Sequence, residues 1–212
     1  LLFCSIVAFA ASPADFSSEA DAYLSKLTAQ AEFSGAVLVA TNGSVAFSKG
    51  YGLANRELDV ANTPDSVFRL GSVTKQFTAM CILMLQEDHR LNVTNLISHY
   101  VENCPEAWRA ITIHHLLTHT SGITSFTGFE DNLKAERLPT TVTATVLRFR
   151  DKPLEFDPGT QMHYSNSGYV LLGYIIEKVS GMTYDHFVSE RIFQPLGMKH
   201  SGYDHPADVL PH

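Results

Sequence analysis

The chain is short of cysteine, tryptophan and positive charge. Of its 212 residues three are Cys and one is Trp, and 15 Lys and Arg stand against 22 Asp and Glu for a net charge of -7. Nucleic acids and anionic membranes are held by clustered Lys and Arg, which this sequence does not offer, so neither is expected as a partner. A small molecule or a peptide is the expected substrate. The cysteines lack metal-ligand spacing, and no motif calls for a cofactor. No apolar run approaches the roughly 20 residues of a transmembrane helix, and no repeat or low-complexity linker interrupts the chain.

What the sequence does contain is enough apolar material, 45% of residues, for one large core or two smaller ones joined. Its first ten residues are almost wholly apolar and end in Ala8-Phe9-Ala10 before Ala11, the small-x-small pattern of a cleaved leader. A signal peptide is therefore expected over residues 1–11, and with it export to the periplasm or the cell exterior. An uncleaved membrane anchor is the alternative, and no stable span is expected in the mature chain. With no initiating Met and no basic stretch, the leader reads as truncated. Cys4 lies within it. Cys81 falls in an apolar helix and Cys104 in a loop, so two unpaired thiols are expected rather than a disulfide.

Apolar residues at helical spacing from Ser17 to Ala31 predict a one-sided helix, with Ser18 and Asp21 as its capping box. Ala36–Ala40 and Ser44–Phe47 flank Asn42-Gly43, a dipeptide that tolerates the positive φ angles of a two-residue hairpin turn. Two antiparallel strands follow. A polar connection, Ala54 to Ser66, leads into a stretch that is apolar nearly all round from Phe77 to Leu85, which predicts a central helix. Beyond Leu91 short helices alternate with loops. Thr112 caps one running toward His119, Tyr169 to Val179 forms another stopped by Gly181, and Thr183 caps a third that ends at Gln194-Pro195. Thr140–Phe149 is rich in β-branched residues and fits strand or helix.

Chemistry is concentrated at Ser72-Val73-Thr74-Lys75. Side chains three apart on a helix share a face, with Cβ atoms roughly 5–6 Å apart, so the Ser72 hydroxyl and Lys75 amine can meet. A serine hydroxyl attacks only when a neighbour takes its proton, and a helix N-terminus adds free N–H groups for a developing oxyanion. Tyr164-Ser165-Asn166 sits between the turn Asp157-Pro158-Gly159 and a helix, on the kind of tight connection that presents side chains. His115 and His119 lie one helical turn apart, but no Glu follows the first His as a metalloprotease helix requires, so they read as helix and loop residues. Trp108 and the methionines read as core packing.

Taken with their surroundings, these motifs resemble the serine β-lactamase and penicillin-binding protein family. The branch is that of class C β-lactamases, D-alanyl-D-alanine carboxypeptidases and related serine esterases and peptidases. The resemblance rests also on Phe68-Arg69-Leu70-Gly71, Leu116-Leu117-Thr118-His119-Thr120-Ser121-Gly122, Phe156-Asp157-Pro158-Gly159 and Pro195-Leu196-Gly197-Met198. It runs from roughly Phe16 to the C-terminus. It implies an α+β fold of the β-lactamase/transpeptidase type: an antiparallel sheet with packed helices, a helical domain, and an active site between the two. Residues 16–90 would form the N-terminal part of the α/β domain with the nucleophile helix, and residues 91–212 a mainly helical domain.

Position by position, the resemblance makes Ser72 the acylated nucleophile and Lys75 its proton partner. Tyr164 becomes the general base or acid, and Asn166 a hydrogen-bond partner of the substrate amide and of Lys75. A free phenol titrates near 10, and one ammonium at about 4 Å in an effective dielectric of about 20 is worth roughly 4 kcal/mol, or about 3 pH units. One lysine thus barely brings Tyr164 to neutrality, which keeps an uncharged Lys75 as the competing base. The family's third motif, a Lys- or His-x-Gly on a later strand, is not found before His212, so a C-terminal truncation that removes the remaining strands is expected. The resulting expectation is a serine hydrolase that forms an acyl-enzyme on an amide, β-lactam or ester, D-alanyl-D-alanine peptides included. The alternative is a non-catalytic module that binds a β-lactam or cell-wall peptide.

Overall fold

The computed structural model describes residues 13–136 and 138–205. The expected leader at 1–11, Cys4 and Arg137 lie outside the described residues. Contacts divide the chain into two compact units that meet in sequence at Phe68 and Arg69.

In the first unit, α1 (Pro13–Ala29) opens on a proline, whose missing N–H is one that has no intrahelical partner at a first helical position. The helix thus begins ahead of Ser17, so the capping box expected at Ser18 and Asp21 is not formed. Asp21 instead accepts hydrogen bonds from Lys49 Nζ at 2.6 Å and Tyr51 Oη at 2.8 Å. Both partners lie on β2 (Ser44–Tyr51), which pairs antiparallel with β1 (Gly35–Thr41) as expected. The turn holds Asn42 at φ +50° and Gly43 at φ +76°. A second small hairpin, β3 (Leu53–Asn55) with β4 (Val60–Ala61), lies within the polar connection, where no strand was expected. Its residues are all exposed, and strands this short carry no hydrophobic alternation to read. Among the described residues each sheet has two strands.

The second unit is built on α6 (Asn166–Ser180), against which α2 (Thr74–Glu87), α3 (Ile113–Leu117), α5 (Val142–Phe149) and α7 (Tyr184–Val188) all pack. α4 (Asn132–Ala135) lies in the connection between α3 and α5. Leu171, Leu172, Ile175 and Ile176 of α6 are fully buried, and Gly181, in the left-handed conformation, closes the helix where expected. α5 settles the ambiguous β-branched stretch as a helix: Thr141 Oγ1 caps it by accepting from the Ala144 N–H at 3.1 Å. Phe149 at its end stacks on Trp108 and on Phe126, each at 6.0 Å between ring centroids. Trp108 is therefore core, as expected.

Two expectations about apolar residues need correcting. Only one stripe of α2 is buried, Thr78, Cys81, Ile82 and Leu85, while Met80 is 51% and Leu83 48% exposed. The stripe follows i, i+3, i+4, i+7 spacing, so the helix is amphipathic in its packing although apolar in its composition. Methionines are likewise not uniformly core, since Met162 is exposed along with Met80. Cys81 and Cys104 are free thiols.

Candidate active site

Ser72 enters the site from a single 3-10 turn, Gly71–Val73, that runs into α2 at Thr74. Continuing the same right-handed turn places Lys75 one turn on, and its Nζ lies 3.3 Å from Ser72 Oγ. Lys75 also donates to Asn166 Oδ1 at 2.7 Å, and the Tyr164 hydroxyl lies 2.6 Å from Ser72 Oγ. All four residues predicted from sequence therefore converge, and all four belong to the second unit.

Neighbouring loops hold this cluster in place. Asn166 is the first residue of α6; its N–H donates to Ser125 Oγ at 3.1 Å and its Nδ2 to Thr127 Oγ1 at 2.9 Å. Ser167 Oγ donates to the Thr124 carbonyl at 2.7 Å and accepts from the Phe126 N–H at 2.9 Å. The 124–127 loop is thereby sewn to the first turn of α6, and Phe126, stacked on Phe149, anchors it to the core. The Asn166 side chain is thereby fixed by Lys75 at Oδ1 and Thr127 at Nδ2, and its backbone by Ser125.

Tyr164 is positioned by the stretch after α3. His119, Thr120 and Gly122 offer their carbonyls to the N–H groups of His163 at 3.0 Å, Gly159 at 2.8 Å and Glu155 at 2.8 Å. Gly122 has φ +75°, and a Cβ there would lie 2.1 Å from the Phe156 carbonyl oxygen, so this close approach requires glycine. Thr112 caps α3 as expected, accepting from the His115 N–H, while His115 Nδ1 accepts from the Thr112 N–H. Among the described residues no three His, Cys, Asp or Glu side chains gather as metal ligands.

The electrostatics weaken the phenol's hold on its proton. The Lys75 ammonium and then the Ser72 hydroxyl hold Tyr164 below the ordinary tyrosine range, against a smaller opposing effect of burial. Lys75 Nζ lies 4.7 Å from the centre of the Tyr164 ring and 5.3 Å from that of Tyr169. Burial pushes Tyr169 up, with the Tyr164 charge adding to it. The site can thus accept a proton from Ser72 at Tyr164, with a cation beside both oxygens. Ser125 and Thr127 were not foreseen from sequence. Their only signal was position, directly after the Thr120-Ser121-Gly122 stretch.

Comparison with known proteins shows what the chain as a whole is similar to. The beta-lactamase family matches residues 20–211. Penicillin-binding protein 4* of Bacillus subtilis (strain 168) is 34% identical over 169 residues, covering 79% of this chain and 37% of that protein. The octameric penicillin-binding protein homologue from Pyrococcus abyssi superposes with a TM-score of 0.75 at 35% identity, over 86% of this chain and 43% of that one. A class C beta-lactamase superposes with a TM-score of 0.78 at 26% identity, over 94% and 54% respectively. The chain thus spans about two fifths of the length of the curated relatives it matches.

Proposed function

Because the chain belongs to the beta-lactamase family, we propose that it carries the nucleophilic half of a serine hydrolase that works through an acyl-enzyme. One observation carries this reading: the Ser72 hydroxyl is bonded at once to an acidified phenol and to a lysine that is itself held by Asn166. In the proposed reaction the Tyr164 phenolate takes the Ser72 proton as Oγ bonds to the substrate carbonyl carbon. The tetrahedral intermediate then expels its amine or alkoxide, which leaves with the proton from Tyr164. Water repeats the sequence on the ester, giving up its proton to Tyr164 while Ser72 regains one. Lys75 stabilises the phenolate throughout, and Asn166 orients Lys75 and the substrate amide.

Substrate class is proposed as an acyl compound of the amide, β-lactam or ester type, with D-alanyl-D-alanine peptides among the candidates. The penicillin-binding and class C beta-lactamase names of the relatives support that range. Export is part of the same proposal. No helix among the described residues is long and apolar enough to cross a membrane. The test uses the full product of the gene with a fluorescent penicillin, a D-alanyl-D-alanine peptide and a simple ester. Turnover that disappears in Ser72→Ala supports the enzyme. Labelling without turnover indicates a binding module, and neither on any substrate class overturns the reading.

A further inference from the structure

His119 stands out because nothing in the proposed chemistry uses it, yet it touches Tyr164 and both of its chain neighbours. Its carbonyl accepts the His163 N–H at 3.0 Å. Its ring Nδ1 accepts the Ser165 N–H at 3.2 Å. Its ring lies against the Tyr164 ring, 4.6 Å between centroids at 38°. The N–H groups of the residues before and after Tyr164 therefore both end on one residue, whose ring also lies against the phenol ring. The ring also lies against Tyr169, at 5.1 Å, and Tyr169 is fixed by donating to the Leu117 carbonyl at 3.1 Å.

The backbone of His119 is strained to do this. It sits at φ +59°, a left-handed conformation that costs a non-glycine residue about 1 kcal/mol or more. A loop end needing only a turn would be served better by glycine. Ala31, Asn42, Asp59, His89 and Asn103 share this region; what sets His119 apart is that its ring bonds to Ser165 and packs on Tyr164.

We infer that His119 is the positioning residue that aims the Tyr164 phenol at Ser72, and that it does so only as the neutral imidazole. An Nδ1 that accepts a hydrogen bond carries no proton, so the ring proton is on Nε2. Protonation would set an Nδ1–H against the Ser165 N–H and break the bond that fixes one end of Tyr164. It would also add a cation to a group that already faces Lys75 from α2, with only the phenols of Tyr164 and Tyr169 around it. No carboxylate among the described residues pairs with His119. Burial first, and the Lys75 charge second, hold the imidazole below its ordinary value, which keeps it neutral at physiological pH.

This inference rests on Tyr164 being the proton partner of Ser72, and its test separates the two claims. In the full gene product, NMR of the histidine ring nitrogens should show His119 as the Nε2–H tautomer, titrating below the ordinary histidine value of about 6.5. Tyr164 ring resonances should move with that same titration. In kinetics, wild-type acylation should fall on the acid side with the His119 titration. His119→Asn keeps a residue type at home in the left-handed region but removes the ring, and should lower kcat by about 10- to 100-fold with KM little changed. It should also lose that acid limb. His119→Gln, which restores neither ring nor the short acceptor, should not rescue it. A limb retained in His119→Asn, an Nδ1–H tautomer, or Tyr164 signals indifferent to His119 overturns the inference. Coupled NMR titrations in a protein that acylates nothing would instead uphold the positioning and sink the proposed reaction.

Discussion

Replacing Tyr164 by Phe removes one oxygen and leaves the ring, so its effect is read almost purely at Ser72. The lost contact is the 2.6 Å bond to Ser72 Oγ; the ring contact with His119 and the approach of Lys75 to the ring face do not need the hydroxyl. Because Tyr164 is 45% exposed, water replaces the lost hydrogen bond and stability should change by no more than about 1 kcal/mol. Acylation should suffer far more. Loss of a general base typically costs about 10²- to 10⁴-fold, or about 3 to 5.5 kcal/mol of barrier. The pH dependence identifies which group was lost. With Tyr164 as base, the wild-type acylation rate rises with pH through the tyrosine titration, which the Lys75 ammonium holds below 10. Tyr164→Phe removes that limb, and Lys75→Ala moves it back toward 10 while lowering the rate at neutral pH. Stopped-flow acylation with a chromogenic β-lactam or ester between pH 5 and 10 measures all three proteins. A Tyr164→Phe variant within threefold of wild type, with its limb intact, refutes Tyr164 as base; loss of the limb in Lys75→Ala alone assigns the role to Lys75.

Gly122→Ala forces a Cβ to 2.1 Å from the Phe156 carbonyl oxygen at φ +75° and should cost about 3 kcal/mol by strain and overpacking, read as a lowered melting temperature. Ser165 Oγ is buried with no partner among the described residues, so Ser165→Ala should leave stability unchanged or raise it by up to about 1 kcal/mol in chemical denaturation. The Cys81 thiol, pushed up to about 12 by burial, should resist iodoacetamide at pH 8 in the folded protein and react once it is unfolded; peptide mass spectrometry decides. Lys49, then Tyr51, hold the Asp21 carboxyl below the ordinary aspartate value of about 3.9. Its contribution is present above that pH and fades as pH falls through the folded value, so the stability difference between wild type and Asp21→Asn should shrink on acidification.

Helical spacing brings two of the site residues together and a turn presents the other two, but it was the resemblance to a known family that singled out all four. Three residues of helical rise put Lys75 beside Ser72, and the hairpin at Asn42-Gly43 was equally local. What the sequence could not reveal depends on distant chain. Ser125 and Thr127 act on Asn166 across some forty positions, and His119, weighed only as a metal ligand, shows its use once residues 163–165 fold against it. The α2 stripe was misjudged for a related reason: composition says which residues are apolar, but packing decides which of them find a neighbour. Met80 and Leu83 lie on the side of the helix where, among the described residues, none covers them.

A common device underlies the assembly of the site. Each segment that carries or braces a reactive group passes through a left-handed residue: Gly71 before Ser72, His119 and Gly122 behind Tyr164, and Gly159 in the turn leading to it. A left-handed residue reverses the chain within one peptide, which lets short loops return to the same point without a long connection. Three of these positions are glycine and meet that demand cheaply. The fourth is histidine, whose carbonyl accepts from the His163 N–H and whose side chain accepts from the Ser165 N–H, on either side of Tyr164. Strain at that one position is offset by contacts that glycine could not make, and it therefore marks where backbone geometry and chemistry are joined in a single residue.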